Sequence, residues 1–206
     1  MKDAALPLIL ASASPRRREI LEAHGQYHIV IPSDVDETPP AGAVFTPGQM
    51  TIYLAELKAE AVLASLDPKD WPEGCRILGV DTIVYKDSII GKPVDEADAL
   101  NILRSLKNGS HEVISGVCLI HAIPRSSPPS PETFVTEKKN LFYDTTIVRF
   151  GDYTDEEILV YIRANPPYDK SGSYAIQSDW GRHVLEIDGD IENVIGLPYK
   201  KLSGYL

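Results

Sequence analysis

Apolar residues fall along this chain in short unbroken runs and in helical stripes, and the two kinds of segment alternate nearly from end to end. Residues 7–11, Pro-Leu-Ile-Leu-Ala, read as a buried strand. Ser14 then suits an N-cap and Pro15 a first helical position, predicting a helix that stops near His24-Gly25. His28–Ile31 predicts a second strand. Thr46-Pro47 opens a helix to about Leu66 with Tyr53, Leu54, Leu57 and Ala61 on one face and Lys58 beside that stripe. Residues 76–85 form a strongly apolar, β-favouring run, and Lys86-Asp87-Ser88 turns it into Ile89-Ile90-Gly91-Lys92-Pro93, which puts Asp81 and Lys92 at the two ends of one hairpin. Asp95 caps a helix through about Lys107 with Leu100, Leu103 and Leu106 inward.

The second half continues the alternation. Residues 111–122 predict a strand, with strands resuming near Thr133 and at Asp144–Phe150. Between them, the stretch at about 124–131 is too proline-rich for a sheet interior and reads as a surface loop. Thr154 and Glu157 form a capping box for a helix ending near Asn165. Val184–Ile187 and Asn193–Ile195, joined by a Gly189-Asp190 turn, predict a closing hairpin before a last short helix. Trp180 suits either the core or a base-stacking surface. The fold class is α/β: a mixed sheet flanked by helices, in one domain or two closely fused lobes.

Composition narrows the function. A formal net charge of −10 argues against a nucleic-acid surface partner. No apolar run approaches the roughly 20 residues of a membrane span. Two distant cysteines, Cys75 and Cys118, have no metal-ligand spacing, and with no apolar signal core at the N-terminus the expected compartment is the cytoplasm. Against this acidic background Arg16, Arg17 and Arg18 crowd into one helix start, where the macrodipole prefers negative groups. An anion in front of them resolves the conflict: free backbone N–H groups, the hydroxyls of Ser12 and Ser14, and the guanidinium forks would converge on phosphate oxygens. A solvated basic helix start is the plainer alternative.

Asp81 interrupts an apolar strand, a costly place for a carboxylate unless a metal or a basic group meets it. The inventory of Arg16, Arg17, Lys58, Lys92 and Lys170 with Asp36, Glu37, Asp81 and Asp169 suits a polyphosphate held by cations while carboxylates bind a metal and deprotonate water. Neither Gly-x-x-x-x-Gly-Lys nor Gly-x-Gly-x-x-Gly occurs, so motor ATPase and dinucleotide readings lose their main support.

Ser12-Ala13-Ser14-Pro15-Arg16-Arg17 after an apolar strand resembles the signature of the Maf family, the septum-formation-inhibitor-like nucleotide pyrophosphatases. Further matching blocks follow in family order: Val35-Asp36-Glu37, Leu54-Ala55 with Lys58-Ala59, Asp81-Thr82, Gly91-Lys92-Pro93, Asp169–Tyr174 with Ile176-Gln177, and Gly189-Asp190 with Asn193 and Gly196-Leu197-Pro198. The resemblance implies a Maf/ITPase-like fold, two lobes with a central cleft, and a cytoplasmic homodimer. It also implies divalent-metal-dependent (Mg, Mn or Co) release of pyrophosphate from nucleoside triphosphates. On that resemblance Asp81 is the proton acceptor, Glu37 and Asp81 face the metal, and Arg16, Thr82 and Gln177 set base specificity. Lys58 and Lys92 surround the phosphates, with Ser12, Ser14, Arg17, Asp169 and Lys170 in support. Ser-Pro-Arg-Arg, Asp-Thr and Ile-Gln resemble the dTTP/UTP branch. A 7-methyl-GTP-type enzyme and a nucleotide-binding regulator of cell division are the alternatives. Departures from the family pattern are the absence of an acid in Asn165-Pro166-Pro167-Tyr168 and serines at 171 and 173 where alanines are common.

Overall fold

A computed structural model describes residues 6–125 and 133–206. Most of the proline-rich loop expected at 124–131 therefore lies outside the described residues. In chain order the strands are β1 (Leu8–Leu10), β2 (Ile29–Val30), β3 (Cys75–Lys86), β4 (Ser88–Ile90), β5 (Ser110–Arg125), β6 (Thr133–Phe150) and β7 (Val184–Asp188). The helices are α1 (Pro15–Ala23), α2 (Pro47–Ser65), α3 (Glu96–Leu106), α4 (Asp155–Ala164), α5 (Ile191–Ile195) and α6 (Tyr199–Leu202). The strands form one seven-stranded sheet in the order β2-β1-β3-β5-β6-β7, with β4 paired to β3 off that path. Pairing is parallel for β1 with β2 and β3, and antiparallel for β3 with β4 and for β6 with β7, so the sheet is mixed and the fold is α/β.

Two compact units share the chain. The first comprises the described residues of Met1–Asp81, Gly116–Tyr143 and Lys201–Leu206; the second comprises Thr82–Ser115 and Asp144–Lys200. Ile9, Ala11, Ala55, Ala59, Val62, Ile77, Cys118 and Ile120 belong to the core of the first unit. In α2 the structure corrects the expected stripe. The buried positions are Gly48, Thr51, Leu54, Ala55, Lys58, Ala59 and Val62, and Tyr53, Leu57 and Ala61 are only partly buried. The reason is close approach: a Cβ on Gly79 of β3 would lie 2.0 Å from the Ala55 carbonyl oxygen, and one on Gly116 of β5 would lie 2.2 Å from the Thr51 carbonyl carbon. The helix rests its backbone on these two glycines, and that spacing selects alanines over larger apolar residues.

The second unit packs Leu103, Leu106, Phe150, Tyr153, Ile158, Tyr161, Tyr174 and Trp180 into its own core. Trp180 is only 1% exposed and lies against Tyr153, Tyr161 and His183, so it is a core residue. Residues 193–195 are helical rather than the second arm of a hairpin. The Asp190 carboxylate caps α5 by accepting from the Glu192 N–H, which favours a helical turn over a strand. β6 also runs unbroken from Thr133, where two separate strands are expected from the pattern.

Buried His111 shares a 2.7 Å hydrogen bond between Nε2 and the Tyr174 hydroxyl, and its Nδ1 is buried without a partner. Desolvation first, and the Lys86 ammonium second, pull its pKa down from 6.5 to about 4. The folded state thus holds neutral histidine while the unfolded state takes up a proton below about pH 6.5. Stability is full above that pH and falls toward pH 4, by at most about 3 kcal/mol from this residue. Urea unfolding at pH 7.5 and pH 4.5 should show this slope in the natural protein and a smaller one in His111→Gln.

Candidate active site

Parallel pairing sets Leu10 of β1 opposite Leu78 of β3, so Ser12, two residues past the end of β1, comes level with the middle of β3, where Asp81 stands. The carboxyl end of a parallel strand such as β1 is where open α/β sheets bind ligands. Pro15 opens α1 and Ser14 stands at its N-cap, but the Ser14 side chain makes no capping bond. Ser12, 8% exposed, accepts instead from the Ser14 N–H at 3.2 Å and from Arg17 Nη1 at 2.8 Å.

The three arginines separate in role. Arg18 turns to the surface and pairs with Glu22 one turn on, at 3.6 Å. Arg16 keeps a buried Nε with no hydrogen-bond partner, a donor in want of an acceptor. Burial pulls Arg17 down from 12.5 to about 10; nearby Asp81 and Glu37 oppose that shift and Arg16 adds to it. It is still fully charged at neutral pH.

Lys58 is the centre of the arrangement. It is 8% exposed, and its Nζ lies 2.6 Å from Asp81 Oδ1 and 3.1 Å from Glu37 Oε2. A lysine at the border of an apolar stripe would be expected to reach out to water, yet this one bridges two carboxylates. Asp81, also 8% exposed, thus has its basic partner. Glu37, on the loop after β2, is about half exposed.

Two carboxylates converging on one cation fit a divalent ion of the magnesium type, which takes one or two carboxylates and completes its shell with water and substrate phosphates. A larger protein cage is not offered: among the described residues no three His, Cys, Asp or Glu side chains group as a metal site.

The remaining expected residues lie in the second unit. The Thr82 hydroxyl meets Ser115 Oγ at 2.9 Å and the Gly196 carbonyl at 3.4 Å. Lys92 is exposed beyond β4, and the hairpin ladder itself covers only Val84–Ile90 to Lys86–Ser88, three residues short of Asp81. Lys170 pairs with its neighbour Asp169, and Gln177 is exposed. The Gly172 N–H donates to the Gly91 carbonyl, tying the 169–177 loop to the turn before Lys92. Gly172 (φ 75°) and Ser173 (φ 62°) are both left-handed there, a conformation that glycine adopts freely and serine under strain. Sequence reasoning missed Ser115, a single buried serine in an apolar run that carries no motif.

Taken together, an α/β sheet delivering a buried Lys-Asp-Glu cluster beside an arginine-rich strand–turn–helix defines a protein of the phosphate-handling class. The comparisons make the class specific. The Maf-like protein family matches residues 7–206, and the chain belongs to the Maf family. It is 39% identical over 196 residues to a protein of Bacillus cereus named dTTP/UTP pyrophosphatase, covering 95% of this chain and 91% of that one. It is 42% identical over 195 residues to a protein of the same name from Bacillus cytotoxicus, covering 94% and 91%. A Bacillus mycoides protein, also so named, is 41% identical over 196 residues, covering 95% and 91%. Among the described residues, no helix is long and apolar enough to cross a membrane.

Proposed function

We propose that this chain is a nucleoside triphosphate pyrophosphatase that converts dTTP or UTP to the nucleoside monophosphate and pyrophosphate. The observation that carries the reading is the buried Lys58 ammonium in contact with both Asp81 and Glu37, beside the end of β1 that leads into Ser12 and the arginine turn. The relatives' shared name supports the pyrimidine branch over 7-methyl-GTP.

In this reading Asp81 accepts a proton from water as the water oxygen attacks the α-phosphorus. The bond between the α-phosphorus and the bridging oxygen breaks, and pyrophosphate leaves with the bond's electron pair. Lys58 fixes the aim of the Asp81 carboxylate, while Arg17 donates to phosphate oxygens as negative charge builds on them. Ser12 holds Arg17 in place, and Ser14, free of capping duty, adds a hydroxyl. Glu37 and Asp81 would hold the divalent cation, which when bound neutralises charge on the phosphates. Lys92, Asp169 and Lys170 are assigned to the phosphates, and Arg16, Thr82 and Gln177 to the base, by resemblance. The Gln177 amide has both the donor and the acceptor that a uracil or thymine edge requires. Burial pushes the free thiols of Cys75 and Cys118 up to about 11 and about 12, which keeps them inert and suits a reducing cytoplasm.

The test is pyrophosphate release from UTP, dTTP, CTP, ATP, GTP and 7-methyl-GTP with Mg²⁺, Mn²⁺ or Co²⁺, and with a chelator. Turnover centred on UTP and dTTP and lost with the chelator is expected. A folded protein that binds nucleotide yet turns over none of them would overturn the reading.

A further inference from the structure

Gln177 stands on a turn that is pinned from both sides. The Ser178 N–H donates to the Ala175 carbonyl at 3.1 Å, closing a turn with Ile176 and Gln177 at its two central positions. Ile176 packs against the core of the second unit, whereas Gln177 is exposed. Among the described residues the Gln177 side-chain amide makes no hydrogen bond, so its direction depends on the backbone on which it stands.

Upstream, the Ala175 N–H donates to the hydroxyl of buried Tyr161 in α4 at 3.0 Å. Downstream, the Ser178 hydroxyl works in two directions. It donates to the Ala175 carbonyl at 2.6 Å and accepts from the Trp180 main-chain N–H at 3.3 Å, which caps the 3-10 turn Asp179–His183. The Gly181 N–H closes on the Ser178 carbonyl at 2.9 Å, and a Cβ on Gly181 would lie 2.4 Å from the Ile176 carbonyl oxygen, so the two turns lie backbone against backbone. The Trp180 ring is locked among Tyr153, Tyr161 and His183. One hydroxyl therefore joins the turn that presents Gln177 to the turn that buries Trp180.

We infer that Ser178 is a positioning residue for base recognition: its hydroxyl holds the 175–178 turn so that the Gln177 amide meets the nucleobase edge in one orientation. This rests on the reading above in which Gln177 faces the base. In this role Ser178 touches neither base nor phosphate. What it supplies is the fraction of molecules in which Gln177 already stands in place, and apparent affinity scales with that fraction.

The experiment measures kcat and KM for UTP, and the inhibition constant of inorganic triphosphate, in the natural protein, Ser178→Ala, Ser178→Thr, Gln177→Ala and the double variant Gln177→Ala with Ser178→Ala. Thermal unfolding is the folding check. Ser178→Ala should raise KM for UTP about fivefold, the factor by which a lost cap bond thins the population of competent turns, and leave kcat nearly unchanged. Inorganic triphosphate carries no base, so its inhibition constant should not move, whereas a general loosening of the protein would shift both. Ser178→Thr keeps the hydroxyl and should restore KM. In the Gln177→Ala background, Ser178→Ala should change nothing further, because Ser178 acts only through that amide. If Ser178→Ala fails to fold, Ser178→Asn, which caps through its amide oxygen but brings no hydroxyl to the Ala175 carbonyl, should give an intermediate KM for UTP. An unchanged KM for UTP, an equal rise in the triphosphate inhibition constant, or a further loss in the Gln177→Ala background overturns the inference while leaving the pyrophosphatase reading intact. Absence of turnover by the natural protein on every nucleoside triphosphate would instead strike that reading itself.

Discussion

Asp81→Asn is expected to lower pyrophosphate release by about 10³-fold, the middle of the range for a lost general base, while the protein still folds and binds triphosphate. Asparagine keeps the shape of the side chain and can still accept from Lys58 through its amide oxygen, so the 2.6 Å contact need not open. What it loses is the capacity to take a proton. Binding should hold or tighten, since one negative charge is removed beside the arginines that meet the phosphates. Calorimetric titration with UTP alongside single-turnover rates separates the two effects. Undiminished turnover would remove Asp81 from the chemistry and leave it a structural partner of Lys58.

Lys58→Met should abolish turnover and also destabilise the fold, by about 3 kcal/mol. That is the scale observed when one partner of a buried ion pair is removed and the other is left uncompensated. Methionine nearly matches the length of the lysine stem, so packing against the sheet is kept and the loss is electrostatic. The second substitution tests this directly: Lys58→Met with Asp81→Asn should regain much of the lost stability, because the stranded charge is gone, but none of the activity. Equilibrium unfolding in urea at pH 7.5 measures both variants. If the double variant is as unstable as Lys58→Met alone, the lysine matters for packing rather than for charge.

Most of the secondary structure was legible because its signals are local. The Thr46 and Thr154 capping boxes, the Asp95 cap and the unbroken apolar run of β3 each state their structure within a few residues. The errors arose where tertiary contact overrides local pattern. The buried face of α2 could not be read from hydrophobic size, because close approach to Gly79 and Gly116 rewards alanine there. The strand expected at 193–195 failed because β-favouring Val194 and Ile195 are outweighed by an N-cap at Asp190 and by the buried bonds of Asn193. In the site, the arginine turn was legible from its conflict with the helix dipole and Asp81 from its apolar setting. That one lysine serves both carboxylates, and that Ser115 meets the Thr82 hydroxyl, depend on pairings between residues 21, 23 and 33 positions apart.

The seating of α2 on bare main chain reaches beyond packing. Ala55 lies one helical turn from Lys58, and Gly79 lies two residues from Asp81, so the gap between the ammonium and the carboxylate is gauged by the thickness of two backbones. Side chains can repack around a small error; a carbonyl oxygen 2.0 Å from an added methyl leaves nothing to repack. A mutational survey scored by turnover alone would therefore rank Gly79 and Gly116 beside Asp81, although neither glycine has any group to offer a nucleotide. Melting temperature would sort them: the glycine variants should fall in both columns, and the aspartate variant in only one.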